Sequence, residues 1–380
     1  MVSLFTDIAS EMLYPVMPVY LKSIGFSVLL IGILEGLAEA VSGISKGYFG
    51  SLSDRKGVRL PFVRLGYALS ALSKPMLAIM QFPLWIFGAR TLDRVGKGVR
   101  TGARDALLSD EATPETKGRV FGFHRGMDTT GAVIGPAIAL VYLYFAPAQY
   151  KPLFLIAFIP GILSVFLLFI IKEKQHPVNN AKKPYSFWTF INYWKQSPAH
   201  YRKLVTGLLL FTLFNSSDYF LLLKIKASGQ SDTIVIAVYI FYNLVYALAS
   251  YPLGHLGDKI GLKKVLFGGL LLFSAVYAGM ALTNNLVVYI LLFAVYGVYA
   301  AATEGISKAW VSNISDKKDT ATAIGTFVAF QSICTMVASS LAGLIWSFYG
   351  FKVTFLLSAG VTTLVALYLI LGFRDAKSKN

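Results

Sequence analysis

Long apolar runs separated by short polar stretches make up most of the chain. A run of about 20 apolar residues is long enough to cross the hydrocarbon core of a bilayer as a helix. Such runs predict twelve spans, at 3–23, 26–50, 60–82, 84–109, 118–145, 152–172, 203–225, 232–254, 262–283, 285–309, 320–347 and 351–373. The pattern therefore predicts an all-α membrane protein with about twelve transmembrane helices.

The longest polar stretch, 173–202, leaves six predicted spans on each side. We expect an N-terminal six-helix bundle over 1–172, a cytoplasmic linker over 173–202, a C-terminal six-helix bundle over 203–373 and a cytoplasmic tail over 374–380. Aromatic residues between 187 and 194 fit a short helix lying in the membrane interface. A plain connector with scattered aromatic residues fits that segment equally well.

A sequence repeat relates the two halves. The segment Gly50-Ser-Leu-Ser-Asp54-Arg-Lys-Gly57 recurs 204 positions later as Gly254-His-Leu-Gly-Asp258-Lys-Ile-Gly261. The same offset pairs Gly25 with Gly229 without a gap. An internal repeat in a polytopic protein is typical of transporters whose substrate site lies near the bilayer midplane, between two pseudo-symmetric bundles.

The composition agrees with this pattern and explains the charge. Hydrophobic residues make up 56% of the chain and charged residues 14%, with a mean hydropathy of +0.62 and a net charge of +16. That charge would suggest nucleic acid in a soluble chain, but polytopic proteins concentrate Lys and Arg in cytoplasmic loops. Because the basic residues cluster in the even-numbered loops, we expect a multi-pass plasma (inner) membrane protein with both termini cytoplasmic and no nucleic-acid partner.

Several other classes of protein lack support in the sequence. The single cysteine, Cys334, can form neither an intrachain disulfide nor a thiolate metal site. The four histidines, His124, His176, His200 and His255, form no recognisable constellation with a nucleophile, and no GxxxxGK[ST] loop is present. We therefore expect that the protein is neither an enzyme nor an ATP-driven pump and that it needs no cofactor. We expect a monomer that binds a small-molecule substrate.

The loop after the second predicted span carries the most specific motif. Gly50-x-Leu52-x-Asp54-Arg55-x-Gly57-x-Arg59 resembles the GxLxDRxGxR loop of the major facilitator superfamily, and its weaker copy contains Gly254, Asp258 and Gly261. The resemblance covers essentially the whole chain. It implies alternating access, with these residues forming a cytoplasmic gate that latches the two bundles. A merely basic loop that sets topology is the alternative interpretation.

The fifth predicted span resembles a motif of the exporters in that superfamily. Gly122, Gly131, Gly135 and Pro136 follow the antiporter pattern G(x)8G(x)3GP(x)2GG, although Ala139-Leu140 replaces the closing glycine pair. The resemblance implies a drug:proton antiporter. Close helix packing through small residues is the alternative.

The fourth predicted span carries seven charged residues, which at 100° per residue fall within a sector of about 140°. These residues are Arg90, Asp93, Arg94, Lys97, Arg100, Arg104 and Asp105. Since each would be costly against lipid, the sector faces protein or water. It either lines an electropositive substrate cavity or neutralises acids on other helices. We expect Arg90, Asp93, Arg94 and Lys97 to line the cavity. Arg104 and Asp105 are expected to latch against the Asp54–Arg59 loop.

Acidic residues at membrane depth suggest proton coupling. Asp7 and Glu11 are four residues apart, as are Glu35 and Glu39, while Arg125 and Asp128 lie one helical turn apart. Carboxylates near bases can change their protonation when the helices move, so we assign proton coupling to the four acids and place Arg125 and Asp128 in the cavity. A static salt-bridge network is the alternative. We assign no metal site, because no His, Cys or Met cluster accompanies the acids.

The resemblance and the charge pattern together imply a secondary active transporter. The expected activity is proton-coupled efflux of a small organic solute or drug, anionic or amphipathic. The alternatives are proton-coupled uptake of an organic anion and export of a metal or metal chelate. The second half is poorer in charge and offers an aromatic wall or ordinary packing through Tyr219, Tyr239, Tyr242, Tyr246, Tyr296 and Tyr299.

Overall fold

The structure is a computed structural model that describes residues 1–26, 28–173, 189–216, 218–230 and 232–373. Helices form its regular structure, and no strand occurs within those ranges. The helices of the first half are α1 Val2–Leu13, α2 Met17–Ser23, α3 Val28–Lys56, α4 Leu60–Ile79, α5 Pro83–Asp110, α6 Lys117–Phe145 and α7 Tyr150–Ile170. The all-α prediction is confirmed.

Within the described residues seven helices follow, a short one in the linker and six in the second half. They are α8 Thr189–Gln196, α9 Ala199–Phe214, α10 Asp218–Ala227, α11 Asp232–Ile260, α12 Leu262–Leu282, α13 Leu286–Asn313 and α14 Thr320–Gly372. A single 3₁₀ turn, Lys317–Asp319, precedes α14. The last two predicted spans are the two arms of α14, which bends at Gly350, where φ is 78° and ψ is 172°.

Two predicted spans are broken helices in the structure. The first divides into α1 and α2 around Pro15, which lacks the N–H that a continuous helix needs. The seventh divides into α9 and α10 after Phe214. By length and composition alone, five helices of the described part can cross a membrane: Lys117–Phe145, Tyr150–Ile170, Leu262–Leu282, Leu286–Asn313 and Lys317–Gly372.

The backbone repeats the sequence duplication. Gly25 and Gly229, 204 positions apart, have φ values of 91° and 90°. Gly57 and Gly261, at the same offset, have φ values of 64° and 100°. This left-handed region is costly for residues with a Cβ. Each half therefore turns at the same two places and uses glycine there.

The chain forms two compact units that do not follow the halves strictly. The first contains Met1–Glu111, Met127–Gln196 and Asp316–Ala329. The second contains Ala112–Gly126, Ser197–Ser315 and Phe330–Asn380. The first turns of α14 therefore belong with the first unit, and the first turns of α6 belong with the second.

Small residues allow the helices inside each unit to approach closely. A Cβ on Gly66 of α4 would lie 2.6 Å from the Gly96 carbonyl oxygen of α5, and a Cβ on Gly96 would lie 2.6 Å from the Gly66 carbonyl oxygen. In the second unit, a Cβ on Gly269 of α12 would lie 2.7 Å from the Thr303 Cγ2 of α13. Because lipid is as apolar as these side chains, van der Waals packing of this kind holds membrane helices together.

Candidate functional site

Asp54, two residues before the end of α3, binds the beginning of α14. Its Oδ2 accepts hydrogen bonds from the Thr322 backbone N–H at 2.6 Å and from the Thr322 hydroxyl at 2.8 Å. The first N–H groups of a helix have no partner within it and carry partial positive charge. Asp54, only 3% exposed, therefore caps α14 from another helix.

Arg59 completes this contact from the loop before α4. Its guanidinium lies 3.4 Å from Asp54 Oδ1, pairs with Asp110 at the end of α5 and donates to the Lys317 carbonyl at 3.4 Å. We call Asp54, Arg59, Asp110 and Thr322 the first latch. Asp54 lies beyond the span predicted over 26–50. Burial raises the pKa of its carboxyl to about 7, although Arg59 and the Thr322 donors act in the opposite direction.

The second half repeats the cap. Asp258 Oδ1 accepts the Gly118 N–H at 2.7 Å, and its Oδ2 accepts the Arg119 N–H at 2.8 Å. Both donors lie in the first turn of α6. Asp258 is 204 positions after Asp54, and Gly118 is 204 positions before Thr322. We call Asp258, Gly118 and Arg119 the second latch.

The leading glycine of each motif copy permits a close backbone approach. A Cβ on Gly50 would lie 2.5 Å from the Ala321 carbonyl oxygen, and a Cβ on Gly254 would lie 2.3 Å from the Gly118 carbonyl oxygen. Real Cβ atoms do not approach that closely. These two glycines therefore allow the capping carboxylates to reach the helix ends.

Arg104 and Asp105, two further predicted gate residues, lie on α5, and their contact with the Asp54–Arg59 loop stays a prediction from the sequence. Arg104 Nη2 pairs with Asp105 Oδ1 at 2.8 Å. Two residues earlier on α5, a Cβ on Gly102 would lie 2.9 Å from the Gly50 Cα. Arg55 is partly exposed at the end of α3. Sequence reasoning missed Asp110, the α5 carboxylate that pairs with Arg59. Its signal was an acid at the end of a helix already rich in charge.

The glycines of the antiporter-type motif serve close packing. A Cβ on Gly131 would lie 2.8 Å from Asp7 Cβ, and one on Gly135 would lie 2.7 Å from the Ile8 carbonyl oxygen. A Cβ on Gly122 would lie 2.4 Å from the Ser250 carbonyl oxygen. Pro136 follows Gly135 inside α6. The motif thus brings α6 close to α1 in the first unit, and the beginning of α6 close to α11 in the second.

A buried ion pair that the sequence did not reveal lies inside the first unit. Lys74 of α4 donates to Asp93 Oδ1 at 2.8 Å and to the Ser10 hydroxyl at 3.3 Å. Arg100 donates to the Ser70 hydroxyl at 2.7 Å. A lone lysine in the apolar third span was the available signal for Lys74. Its partner could not be read from spacing, because the two residues lie on different helices.

Other predicted cavity and coupling residues lie in the same unit. Arg90 and Asp128 are buried, Arg94 is half-buried and Lys97 is exposed. Asp7 interacts electrostatically with Asp128, Glu11, Arg100 and Lys97. Arg90 and Arg94 also interact electrostatically with Asp93. We call this group the polar cluster: Asp7, Glu11, Lys74, Arg90, Asp93, Arg94, Lys97, Arg100 and Asp128.

The side chains of Glu35 and Glu39 lie outside the described residues. The backbone of both positions belongs to α3. Their assignment to proton coupling therefore stays a prediction from the sequence.

Arg125 makes its contacts across helices. Its guanidinium pairs with Glu304 of α13 and donates to the Tyr246 hydroxyl of α11, with the Tyr246 ring centroid 5.2 Å from its Cζ. The sequence had paired it with Asp128, one turn along α6. The structure adds these partners on neighbouring helices, and the assignment of Arg125 and Asp128 to the cavity stays a prediction. Arg125 belongs to the second unit and Asp128 to the first.

The tyrosines of the second half form one packed cluster around an acid. The Tyr296 hydroxyl donates to Asp218 Oδ1 at 2.6 Å. The centroid of the Tyr296 ring lies 5.0 Å from the centroids of Tyr242 and Tyr299. The Tyr242 centroid lies 6.2 Å from that of Tyr239 and 6.0 Å from that of Tyr246. Four of the five are at most 5% exposed, which favours the packing interpretation. The Tyr219 side chain lies outside the described residues.

Known proteins resemble this chain in sequence and in structure. The Major Facilitator Superfamily model matches residues 1–226 and 204–380. An uncharacterized MFS-type transporter of Methanocaldococcus jannaschii is 35% identical over 374 residues, which cover 97% of this chain and 92% of that protein. The multidrug resistance protein MdtG of Klebsiella pneumoniae is 25% identical over 97% of this chain and 91% of its own. The crystal structure of the human organic anion transporter MFSD10 (TETRAN) matches with a TM-score of 0.81 at 16% identity, covering 97% of both chains.

Proposed function

This chain belongs to the major facilitator superfamily, whose members are transporters and not enzymes, and from that premise we propose that it exports a small organic solute in exchange for protons. It is a multi-pass membrane protein that acts on a small molecule. We further propose the plasma (inner) membrane as its location, with both termini and both latches on the cytoplasmic side. The charge asymmetry of the loops supports this orientation.

The observation that carries the proposal is the pair of latches related by the sequence repeat. Alternating access needs contacts that form in one state and break in another. A carboxylate on the first N–H groups of a helix suits this role, because water can replace either partner when the contact opens. Hydrogen bonds to a charged group contribute about 1.5–3 kcal/mol each. That is comparable with the few kcal/mol that separate two functional conformations.

The polar cluster supports proton coupling. Asp7 interacts with two further carboxylates, Glu11 and Asp128, and with two bases, Lys97 and Arg100. Like charges oppose ionisation and opposite charges favour it, so a shift of either neighbour changes how readily a proton binds. Groups coupled in this way exchange protons as a set. Helix movement between two states therefore has a means of moving a proton across the cluster.

The charges of the cluster support an anionic or amphipathic solute. The cluster contains five bases and four acids: Lys74, Arg90, Arg94, Lys97 and Arg100, with Asp7, Glu11, Asp93 and Asp128. Lys74, a base that contacts Asp93 directly, comes from α4, outside the predicted stripe. MdtG and MFSD10, named as multidrug resistance and organic anion proteins, support an organic solute. The basic stripe also supports the second candidate, uptake of an organic anion.

Reconstituted transport distinguishes the two directions. Purified protein in liposomes is given a pH jump with the membrane potential clamped, and a panel of organic anions, cationic dyes and metal chelates is followed. Export by exchange requires a solute to accumulate on the acidic side. Accumulation on the alkaline side, together with protons, supports uptake. If the flux of every solute in the panel is independent of the pH gradient, the proposal of proton coupling is wrong.

A further inference from the structure

In the first unit, the guanidinium of Arg59 fills the space beside the capping carboxylate. The side chain is only 2% exposed, and it contacts Asp54, Asp110 and the Lys317 carbonyl. These partners accept from its two terminal nitrogens, in the planar geometry that a guanidinium favours, while its Nε has no hydrogen-bond partner among the described residues. The first latch is therefore filled from within the chain.

The counterparts of these residues in the second unit leave that space open. At the 204 offset, Asp54 corresponds to Asp258, Arg59 to Lys263 and Asp110 to Ile314. The Lys263 ammonium donates to the Phe373 carbonyl at the end of α14. All three counterparts line one cavity of about 400 Å³. Pro114, Gly257, Gly261, Leu262, Trp310, Asn313 and Phe373 complete its wall.

Asn313, a residue of the cavity wall, carries an acceptor that no residue in the described part of the chain satisfies. Asn313 Nδ2 donates to the Pro114 carbonyl at 3.1 Å, while Asn313 Oδ1 is buried and has no hydrogen-bond partner among the described residues. A buried acceptor without a donor is unfavourable, because it has lost its hydrogen bonds to water. Each Asp258 oxygen accepts one N–H from the second latch and has a further lone pair available. The site therefore calls for hydrogen-bond donors.

The rest of the wall selects the shape and charge of an occupant. The rings of Trp310 and Phe373 lie 5.0 Å apart, between centroids, and Ile314 and Leu262 add aliphatic surface. Such walls favour a flat aromatic group. The positive charges of Lys263, in the wall, and of Arg119, which donates its N–H to Asp258, outnumber the one negative charge of Asp258 and disfavour a further cation there. An uncharged N–H donor on an aromatic ring matches the site best.

We propose that this cavity is a binding site for a small, uncharged aromatic molecule with a planar N–H donor group, such as an aryl urea, and that it is complete only when the second latch is closed. Pro114 forms one wall and precedes the helix whose first turn Asp258 caps. A ligand that needs both walls favours the closed state by linkage. The site lies outside the polar cluster, and its ligand is not the solute of the proposed transport reaction.

Binding is tested with 4-fluorophenylurea, followed by fluorine NMR on the full-length protein in nanodiscs. We expect saturable binding, and at least about tenfold weaker binding of the N,N,N′-trimethyl analogue, which lacks every N–H donor. Asn313→Leu should weaken the urea about tenfold. Lys263→Arg with Ile314→Asp rebuilds the arrangement of the first latch, so the chain's own guanidinium should exclude the probe.

Lys264→Arg is the matched control, since it adds a guanidinium beside the cavity without lining it, and its affinity should equal that of the unaltered protein. Size-exclusion profiles identify any variant that fails to fold, and the trimethyl analogue tests the donor requirement without a mutation. Binding that both cavity variants leave unchanged, or equal affinity for urea and trimethyl analogue, would overturn the proposal. No saturable binding of the urea would overturn it as well.

Closure is tested by pulsed EPR with spin labels at Glu115→Cys and Lys259→Cys in a Cys334→Ser background. Both positions are exposed and flank the second latch. We expect the urea to increase the share of the shorter distance, and the trimethyl analogue to leave it unchanged. Saturating urea that leaves the distance distribution unchanged would overturn the requirement for a closed latch.

Discussion

Replacing Gly254 by alanine should force apart the two backbones that the second latch joins. The new Cβ would lie 2.3 Å from the Gly118 carbonyl oxygen, 2.8 Å from the Gly118 carbonyl carbon and 3.1 Å from the Arg119 Cα. All three are backbone atoms, so no rotamer change relieves the overlap. Contact distances between carbon atoms are about 3.5–4.0 Å. The two helices must therefore separate by roughly 1 Å.

That separation determines the size of the effect. The Asp258 hydrogen bonds to the Gly118 and Arg119 N–H groups, now 2.7 and 2.8 Å long, would be stretched beyond about 3.5 Å, where a hydrogen bond is effectively lost. Overpacking of this kind costs about 1–3 kcal/mol. A cost of that size borne only by the closed state shifts its equilibrium by about 5- to 150-fold.

Pulsed EPR with the labels at Glu115→Cys and Lys259→Cys measures the closed share directly. The matched control is Gly268→Ala in α12, where a Cβ would meet no atom within 4 Å. The control also carries the gain of up to about 1 kcal/mol that alanine brings to a helix over glycine. We expect Gly254→Ala to lose most of the short distance and Gly268→Ala to retain it. A short-distance share in Gly254→Ala equal to that of Gly268→Ala would refute the close-approach argument.

Three further results are expected. With the first latch formed, the pKa of Asp54 is about 7, against an ordinary value of 3.8. At a pH between those two pKa values, the Asp54 carboxyl is therefore protonated in the latched state and ionised in the open state. Acidification from about pH 8 to about pH 5 should increase the latched share, reported by labels at Lys56→Cys and Lys318→Cys, while Asp54→Asn should reduce this pH dependence to the part that the polar cluster contributes. A latched share that falls on acidification contradicts this sign. Glu11→Gln should lose pH-driven transport in liposomes but retain solute exchange. If it and Asp7→Asn both stay fully coupled to pH, the proton site lies elsewhere. Arg94→Gln should weaken binding of an acidic solute about tenfold more than that of a neutral analogue, because one charge near an anion supplies a few kcal/mol before desolvation. Equal losses assign Arg94 to structural ion pairing.

The sequence predicted the features that depend on local pattern. Each predicted span corresponds to a helix, to two helices divided at a break or to one arm of α14, because an apolar run of membrane length is a local property. The glycines of the repeat were also predictable from the sequence, since Gly57 and Gly261 lie at turns that require a positive φ. Pro15 gave a visible reason for the break between α1 and α2.

Contacts between helices were not readable in the same way. Lys74 and Asp93 lie on neighbouring helices, and Arg125 pairs with Glu304, 179 positions away. Which residues meet depends on how the helices cross, and spacing along one helix carries no information about that. The same reason hid the partners of Asp54 and Asp258. The motif identified the two carboxylates, but only the fold shows that each caps a helix from the other half of the chain.

The central claim is that the latches open and reform in each transport cycle, and reversible cross-linking of the first latch tests it most directly. Lys56→Cys and Lys318→Cys, both exposed, are joined by a short bifunctional methanethiosulfonate reagent in a Cys334→Ser background. Flux of a solute identified by the liposome panel is measured before cross-linking, after it and after reduction. The account predicts that flux stops when the link forms and returns when it is reduced. Flux that continues at the same rate through the cross-linked protein would contradict it.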